Sequence, residues 1–198
     1  MKLIIPNRFK NINYGTDVPI NIKNKAETLV SSKKGIYLYG PAGCGKTHIA
    51  YAIASFFNES KYKTWFLNTG EMLRQMREEF EKSEAESKES LYRQLINFDG
   101  LLFFDDIGAE KASDWVRETF YLILNDKYEN MIPVIFTSNY SLDELAEKMG
   151  DRVVSRIMGI CDILKLEGRD RRLEMRSSFN TTFLVARHSQ DESLPPKG

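Results

Sequence analysis

Eight consecutive residues constrain this chain more than any others: Gly40-Pro41-Ala42-Gly43-Cys44-Gly45-Lys46-Thr47. They match the phosphate-binding loop G-x-x-x-x-G-K-[ST] at every fixed position. Ahead of them, Lys34-Gly35-Ile36-Tyr37-Leu38-Tyr39 is a short apolar run with the character of a buried strand. Behind them, Ile49, Ile53 and Phe57 recur at four-residue spacing, a helical stripe. Glycines let backbone N–H groups turn inward around phosphate oxygens with no Cβ in the way. The helix that follows adds the partial positive charge of its N-terminus. The pattern predicts a nucleoside triphosphate site lined by Gly40 through His48. Lys46 would reach the β- and γ-phosphates and Thr47 would hold Mg²⁺.

The rest of the chain fits one α/β domain built around that loop. A length of 198 residues allows one such domain and at most a small appendage. The short runs Lys63–Asn68, Leu101–Phe104, Pro133–Thr137 and Cys161–Leu166 have the character of strands. Leu101-Leu102-Phe103-Phe104 is apolar at every position, as a strand buried on both faces requires. Helical patterns separate the runs: Glu71 to Phe98, Asp114 to Tyr128, Leu142 to Met149 and Arg152 to Met158. Strands alternating with helices predict a doubly wound, parallel, five-stranded sheet. Residues 1–34 are expected to be an extended entry segment with a short polar helix from Ile20 to Val30. Residues 35–172 would form the nucleotide-binding domain, and 173–198 a short tail or remnant lid. Between Glu78 and Ser90, six Glu stand against two Lys, which predicts a solvated helix junction or a mobile loop within the Glu71 to Phe98 pattern.

Charge and cysteine usage exclude several classes. Lys plus Arg and Asp plus Glu number 28 each, so no global positive field draws the chain to nucleic acid, and any DNA contact needs a local patch. Cys44 and Cys161 are far apart and offer neither metal-ligand spacing nor a disulfide framework, which fits a reducing cytoplasm. Residues 1–20 lack the apolar core of a signal peptide, and no stretch is long and apolar enough to span a membrane.

Two further strand ends carry candidate chemistry. Asp105-Asp106 closes the strand Leu101–Phe104, expected to lie beside the phosphate-loop strand, where ligands bind in such sheets. Asp105 is placed to join Thr47 around Mg²⁺, and Asp106 to orient or deprotonate an attacking water. Thr137-Ser138-Asn139 closes the next strand, and the Asn139 amide can reach the γ-phosphate or the water, or simply end a turn.

With these three strand ends the chain resembles the AAA+ ATPases, and within them the DnaC/DnaI-type replicative helicase loaders and the related IstB transposition ATPase. The likeness runs from about Pro6 to Arg172. Its most specific string is Asp105-Asp106-Ile107-Gly108-Ala109-Glu110 through Trp115, with Pro6-Asn7-Arg8-Phe9 at the entry. The resemblance implies that Lys46 and Thr47 are the Walker A pair, Asp105 and Asp106 the Walker B pair, and Asn139 the sensor 1 residue. Many AAA+ enzymes have Glu where Asp106 stands; the shorter side chain implies slow ATP hydrolysis, which suits a switch. Arg152 and Arg156, four apart on one helical face, match a segment whose arginine completes the neighbouring subunit's site. The finger is assigned to Arg156 with Arg152 in reserve; the plainer alternative is that Arg152 pairs with Asp151 or a nearby Glu. Arg172 is the choice for sensor 2, although the helical lid is truncated or absent, since residues 168–198 are too few for a full one.

The partners implied are other copies of the chain through the ATP site, single-stranded DNA and a replicative helicase. Arg74 and Arg77, with Lys111, are the candidate DNA contacts, opposed by the acidic run after Glu78. Cellular loaders carry a separate N-terminal domain that grips the helicase; residues 1–34 are too few for one, so a short segment or another protein is expected to do that work. Phe9 and Tyr14 either flank the adenine or pack. Three other readings share the sequence: an IstB-like transposition helper, a nucleotide-gated regulator that hydrolyses little, and a small-metabolite kinase, the last disfavoured by Asn139 and the Arg152/Arg156 segment.

Overall fold

A computed structural model describes residues 3–81 and 90–168. Five strands, β1 (Gly35–Tyr39), β2 (Thr64–Asn68), β3 (Leu101–Asp105), β4 (Val134–Ser138) and β5 (Cys161–Lys165), form one sheet in the order β2-β3-β4-β1-β5. Every pairing is parallel. The helices are α1 (Tyr14–Asp17), α2 (Ile20–Ser32), α3 (Lys46–Glu59), α4 (Thr69–Glu81), α5 (Leu91–Ile96), α6 (Asp114–Glu129), α7 (Leu142–Met149) and α8 (Asp151–Ile160). The long helical pattern expected from Glu71 to Phe98 is therefore two helices; residues 82–89 lie outside the described part, as do Arg169, Arg171, Arg172 and the tail.

The two-residue period of the strands sorts their side chains into two cores. Ile36, Leu38, Leu101, Phe103 and Ile135 join α2 and α3 on one face. Tyr37, Leu102, Phe104, Val134 and Phe136 join α4 to α8 on the other. Phe103, Phe104 and Phe136 are almost fully buried, each contributing about 1.5–3 kcal/mol of apolar burial. On the first face, α2 buries Ile22, Ala26 and Leu29, so much of the expected entry segment belongs to the sheet's own core. On the second face, the buried Lys127 of α6 donates to the Ile96 and Phe98 carbonyls at 2.8 and 3.1 Å, fixing α6 against the end of α5.

One placement departs from the sequence reading. The acidic strand does not lie beside the phosphate-loop strand: β4 runs between them, pairing with β1 on one side and β3 on the other. Periodicity reports which face a residue takes and carries no information about lateral order. The consequence is chemical, because the end of β4 now stands within reach of both the phosphate loop and the two acids.

Candidate nucleotide site

The site forms where β1, β3 and β4 end. After β1 the chain turns through Gly43 and Gly45, at φ of 77° and 107°, into the first turn of α3. Both values are costly for a residue bearing a Cβ, so the loop's path depends on these glycines. Lys46 is buried, and its Nζ donates to the Gly40 and Pro41 carbonyls at 2.9 and 2.8 Å and to Asn139 Oδ1 at 2.8 Å. The loop's Cys44 is buried beneath it, with Sγ 3.9 Å from Lys46 Nζ.

Across the cleft, Thr47 Oγ1 donates to Asp105 Oδ1 at 2.9 Å. The hydroxyl of Thr137 donates to the same oxygen at 2.6 Å and accepts the Asp106 backbone N–H at 2.9 Å. Asn139 completes the network: its Nδ2 donates to Asp106 Oδ1 at 2.9 Å while its Oδ1 accepts from Lys46. A continuous chain Lys46–Asn139–Asp106 thus spans β1 to β3 through the end of β4. The backbones are tied as well, since Ile107 N–H donates to the Thr137 carbonyl and Ser138 Oγ to the Ile107 carbonyl. Asp106 itself has φ of 63°, left-handed backbone that costs a non-glycine residue roughly 1 kcal/mol.

Burial pushes the Asp105 carboxyl above the usual carboxylate range, against the lowering effect of the Thr137 and Thr47 hydroxyls. A buried carboxylate beside a threonine hydroxyl at the mouth of a glycine-turned loop is a donor set suited to a hard divalent cation with an oxygen-rich shell. Thr47 and Asp105 fit Mg²⁺ on that ground.

Thr137 is the functional residue that sequence reasoning passed over. Its signal was a hydroxyl closing the apolar run Val134-Ile135-Phe136, which needs a partner once buried.

His48 turns to the entry segment, its Nε2 lying 3.0 Å from Asp17 Oδ2. Bonds from the Asn13 backbone, then His48 and Thr16, hold the Asp17 carboxyl down at about 2. Both aromatic residues proposed near the adenine are engaged in packing: Phe9 stacks on Tyr51 at 4.6 Å between centroids and Tyr14 on Phe56 at 4.2 Å.

The two arginines of α8 differ. Arg156 is half-buried; its Nε donates to Asn125 Oδ1 at 2.8 Å and one terminal nitrogen to the Tyr121 hydroxyl at 3.4 Å. Its guanidinium carbon lies 5.0 Å from the centre of the Tyr128 ring. Arg152 is exposed, with its guanidinium carbon 3.8 Å from the centre of the Tyr121 ring. Among the described residues neither arginine forms an ion pair, so the pairing of Arg152 with Asp151 or a nearby Glu is not made.

Of the candidate DNA contacts, Arg74 is bracketed by Glu71 and Glu78 on its own helix. The Arg77 guanidinium lies 5.3 Å from the centre of the Trp115 ring, and Lys111 is exposed nearby; both line a groove with Glu110 and Val116.

Residues 9–178 match the family model for the IstB-like ATP binding protein. The replicative helicase loader DnaI of Bacillus subtilis is 30% identical over 180 residues, covering 84% of this chain and 55% of the relative. An ATP-binding protein of insertion sequence IS5376 from Geobacillus stearothermophilus is 28% identical over 151 residues, 74% of this chain and 58% of the relative. The chain therefore spans little more than half the length of these curated relatives. Among solved structures, that of the DnaC helicase loader superposes with a TM-score of 0.68 at 26% identity, covering 82% of this chain and all of that one.

Proposed function

Since this chain belongs to the IstB-like ATP-binding family, the AAA+ group that includes the DnaC/DnaI-type helicase loaders, we propose that it is a helicase loader: an ATP hydrolase of low turnover that assembles through its nucleotide site and acts on single-stranded DNA and a replicative helicase. The observation that carries the reading is the Lys46–Asn139–Asp106 chain, because it puts a cation, a polar amide and a carboxylate in one line at the ends of three strands.

In this reading the phosphate loop from Gly40 to Thr47, with His48 behind it, holds the ATP phosphates by backbone N–H groups, and the buried Lys46 ammonium offsets charge on the β- and γ-phosphates. Thr47 and Asp105 would hold Mg²⁺, which supplies charge neutralisation of the phosphates when bound. Asp106 accepts the proton of the attacking water, held in orientation by the amide of Asn139. Since Asp106 is already bonded to Asn139, carboxylate and amide move together, and a change at one alters the other. An arginine of α8 completes the site of an adjoining copy, so turnover rises with assembly. The Arg172 assignment to sensor 2 stands on resemblance alone. For DNA, Arg77 and Lys111 remain the candidates; the bracketing of Arg74 by two glutamates removes much of its attraction for phosphate.

The test has three parts. On a sizing column, ATP with Mg²⁺ should convert the chain to a larger species, and Lys46→Ala should stay small. ATP turnover should rise on adding single-stranded DNA. Immobilised protein should then capture a hexameric replicative helicase. Capture of a transposase instead would favour the helper role, which the insertion-sequence relative supports. Assembly without any turnover would favour the regulator.

A further inference from the structure

Tyr37 stands in the middle of β1, between Ile36 and Leu38, and is fully buried. Packing alone asks for no hydroxyl there, since phenylalanine offers the same ring, and a buried phenol needs an acceptor. The acceptor lies 103 residues away: the Tyr37 hydroxyl donates to the Tyr140 carbonyl at 2.8 Å. Burial pushes the Tyr37 phenol above its ordinary range, against the lowering effect of the Ser138 hydroxyl, so the group stays protonated and remains a donor at neutral pH.

That bond joins others that frame Asn139. Ahead of it, the Gly40 backbone N–H donates to the Ser138 carbonyl at 3.3 Å. Behind it, the Tyr140 backbone N–H donates to Ser138 Oγ at 3.1 Å, and the same hydroxyl donates to the Ile107 carbonyl at 2.8 Å. The Tyr140 ring lies against Gly108, where an added Cβ would come within 3.1 Å of it, and Lys148 Nζ lies 4.5 Å from the ring centre. Asn139 itself is exposed, so burial does not select the rotamer that sets its amide between Lys46 Nζ and Asp106 Oδ1. The backbone on either side sets it instead. The groups that fix that backbone come from β1, from the first residue of the phosphate loop and from the turn after β3.

We infer that Tyr37 is a positioning residue: by holding the Tyr140 carbonyl it keeps the Asn139 amide in line between Lys46 and Asp106, and so acts on ATP hydrolysis through Asn139 without touching the nucleotide. The role rests on the hydrolysis proposed above. It divides the work of β1 between two sites: the strand's end turns into the loop that meets phosphate, while its middle steadies the residue that orients the attacking water. Lys46 retains the Gly40 and Pro41 carbonyls as partners when Asn139 moves, so nucleotide binding and turnover separate.

The experiment is ATP turnover by the full chain at saturating ATP·Mg with single-stranded DNA present, alongside ATP affinity by calorimetry, for Tyr37→Phe, Asn139→Ala and the double variant. Tyr37→Phe keeps the ring and deletes the hydroxyl; it should lower kcat roughly tenfold with ATP affinity within about twofold of wild type. Asn139→Ala should lower kcat about 10²-fold. Adding Tyr37→Phe to it should change kcat by less than about twofold, because the residue through which Tyr37 acts is gone. Ile22→Val, in the core of α2 on the opposite face of the sheet, controls for stability: it should lower the melting temperature comparably and leave kcat at the wild-type value. Losses that multiply in the double variant overturn the positioning role, and so does an equal fall of kcat in Ile22→Val. Wild-type kcat in Tyr37→Phe, with Asn139→Ala impaired, overturns it while leaving the hydrolysis reading intact. Wild-type turnover in Asn139→Ala overturns the hydrolytic part given to that asparagine, and the role of Tyr37 with it.

Discussion

The strand-end cluster and the α6–α8 face both gather charged and polar residues, and they treat charge in opposite ways. At the strand ends each polar group finds a partner within the fold: Lys46 has three oxygens, Asp105 two hydroxyls, and Asp106 an amide and a threonine. On the outer face, Arg152 and Arg156 are met by rings, a hydroxyl and an amide, and among the described residues by no carboxylate within ion-pair distance. A buried charge left without partners costs several kcal/mol, so the first arrangement is forced by burial. An exposed cation carries no such demand, and its lack of an acid leaves it available to an anion from outside. The cluster is complete electrostatically within one chain; the face is not.

The sharpest break in that comparison is Lys46→Ala, which removes the buried cation bonded to Asn139 in the strand-end network. ATP·Mg titration by calorimetry should then give no measurable heat, a loss of at least about 10²-fold in affinity. Next in size is Thr137→Val, which keeps the shape and deletes the hydroxyl shared by Asp105 and the Asp106 N–H. Leaving those buried groups short of a partner should cost about 1–3 kcal/mol in urea unfolding and lower turnover as well. Ligand-free stability unchanged in this variant would show that the network is less tightly built than its geometry indicates.

Asp105→Asn should act in the other direction on stability. The folded-state pKa of Asp105 is raised by burial, so ionising it costs the folded state. That cost is absent below the unfolded carboxylate range, sets in as pH rises through it, and is complete above the folded-state value. The ligand-free variant should therefore melt higher than wild type at neutral pH, by a margin that closes as pH falls below about 4, while Mg²⁺-dependent ATP affinity drops. A lower melting temperature at pH 7 would contradict the account. The smallest effect belongs to Asp17, whose pKa is lowered to about 2. The stability it contributes is present above the unfolded carboxylate range and lost as pH falls toward about 2, so Asp17→Asn should be less stable than wild type at neutral pH, by a margin that closes as pH falls toward about 2. Because the Asp17 side chain remains in contact with solvent at 28% exposure, the difference should be a small shift of the urea midpoint at pH 7.

The strand-end cluster was legible in the sequence and the outer face much less so. Lys46, Thr47, Asp105, Asp106 and Asn139 announce themselves because each sits in a short local pattern, an apolar run closed by a polar residue. Apart from the Glu71–Phe98 pattern, which is two helices, and the short α1, which periodicity did not show, helices and strands fall within about two residues of where periodicity placed them. Thr137 escaped notice because its importance depends on the register of β4 against β3, which sets two residues from distant parts of the chain side by side. The position of β4 between β1 and β3 was hidden for the same reason. Tyr121 and Asn125 lie about 30 residues from the arginine they hold, on a helix whose periodicity revealed only its buried stripe.

The backbone at residue 106 bears on any attempt to quicken the proposed ATP hydrolysis. In left-handed conformation Asp and Asn are accommodated far more readily than most other residues, since a short polar side chain can bond to its surroundings there. Lengthening the acid to Glu, the residue many AAA+ relatives carry, would therefore ask the turn after β3 to reshape before the longer carboxylate could be used. On the proposed reading, catalytic pace at this position would be coupled to a conformational preference, and a gain in reach would be offset by disturbance of the hydrogen bond between the acid and Asn139.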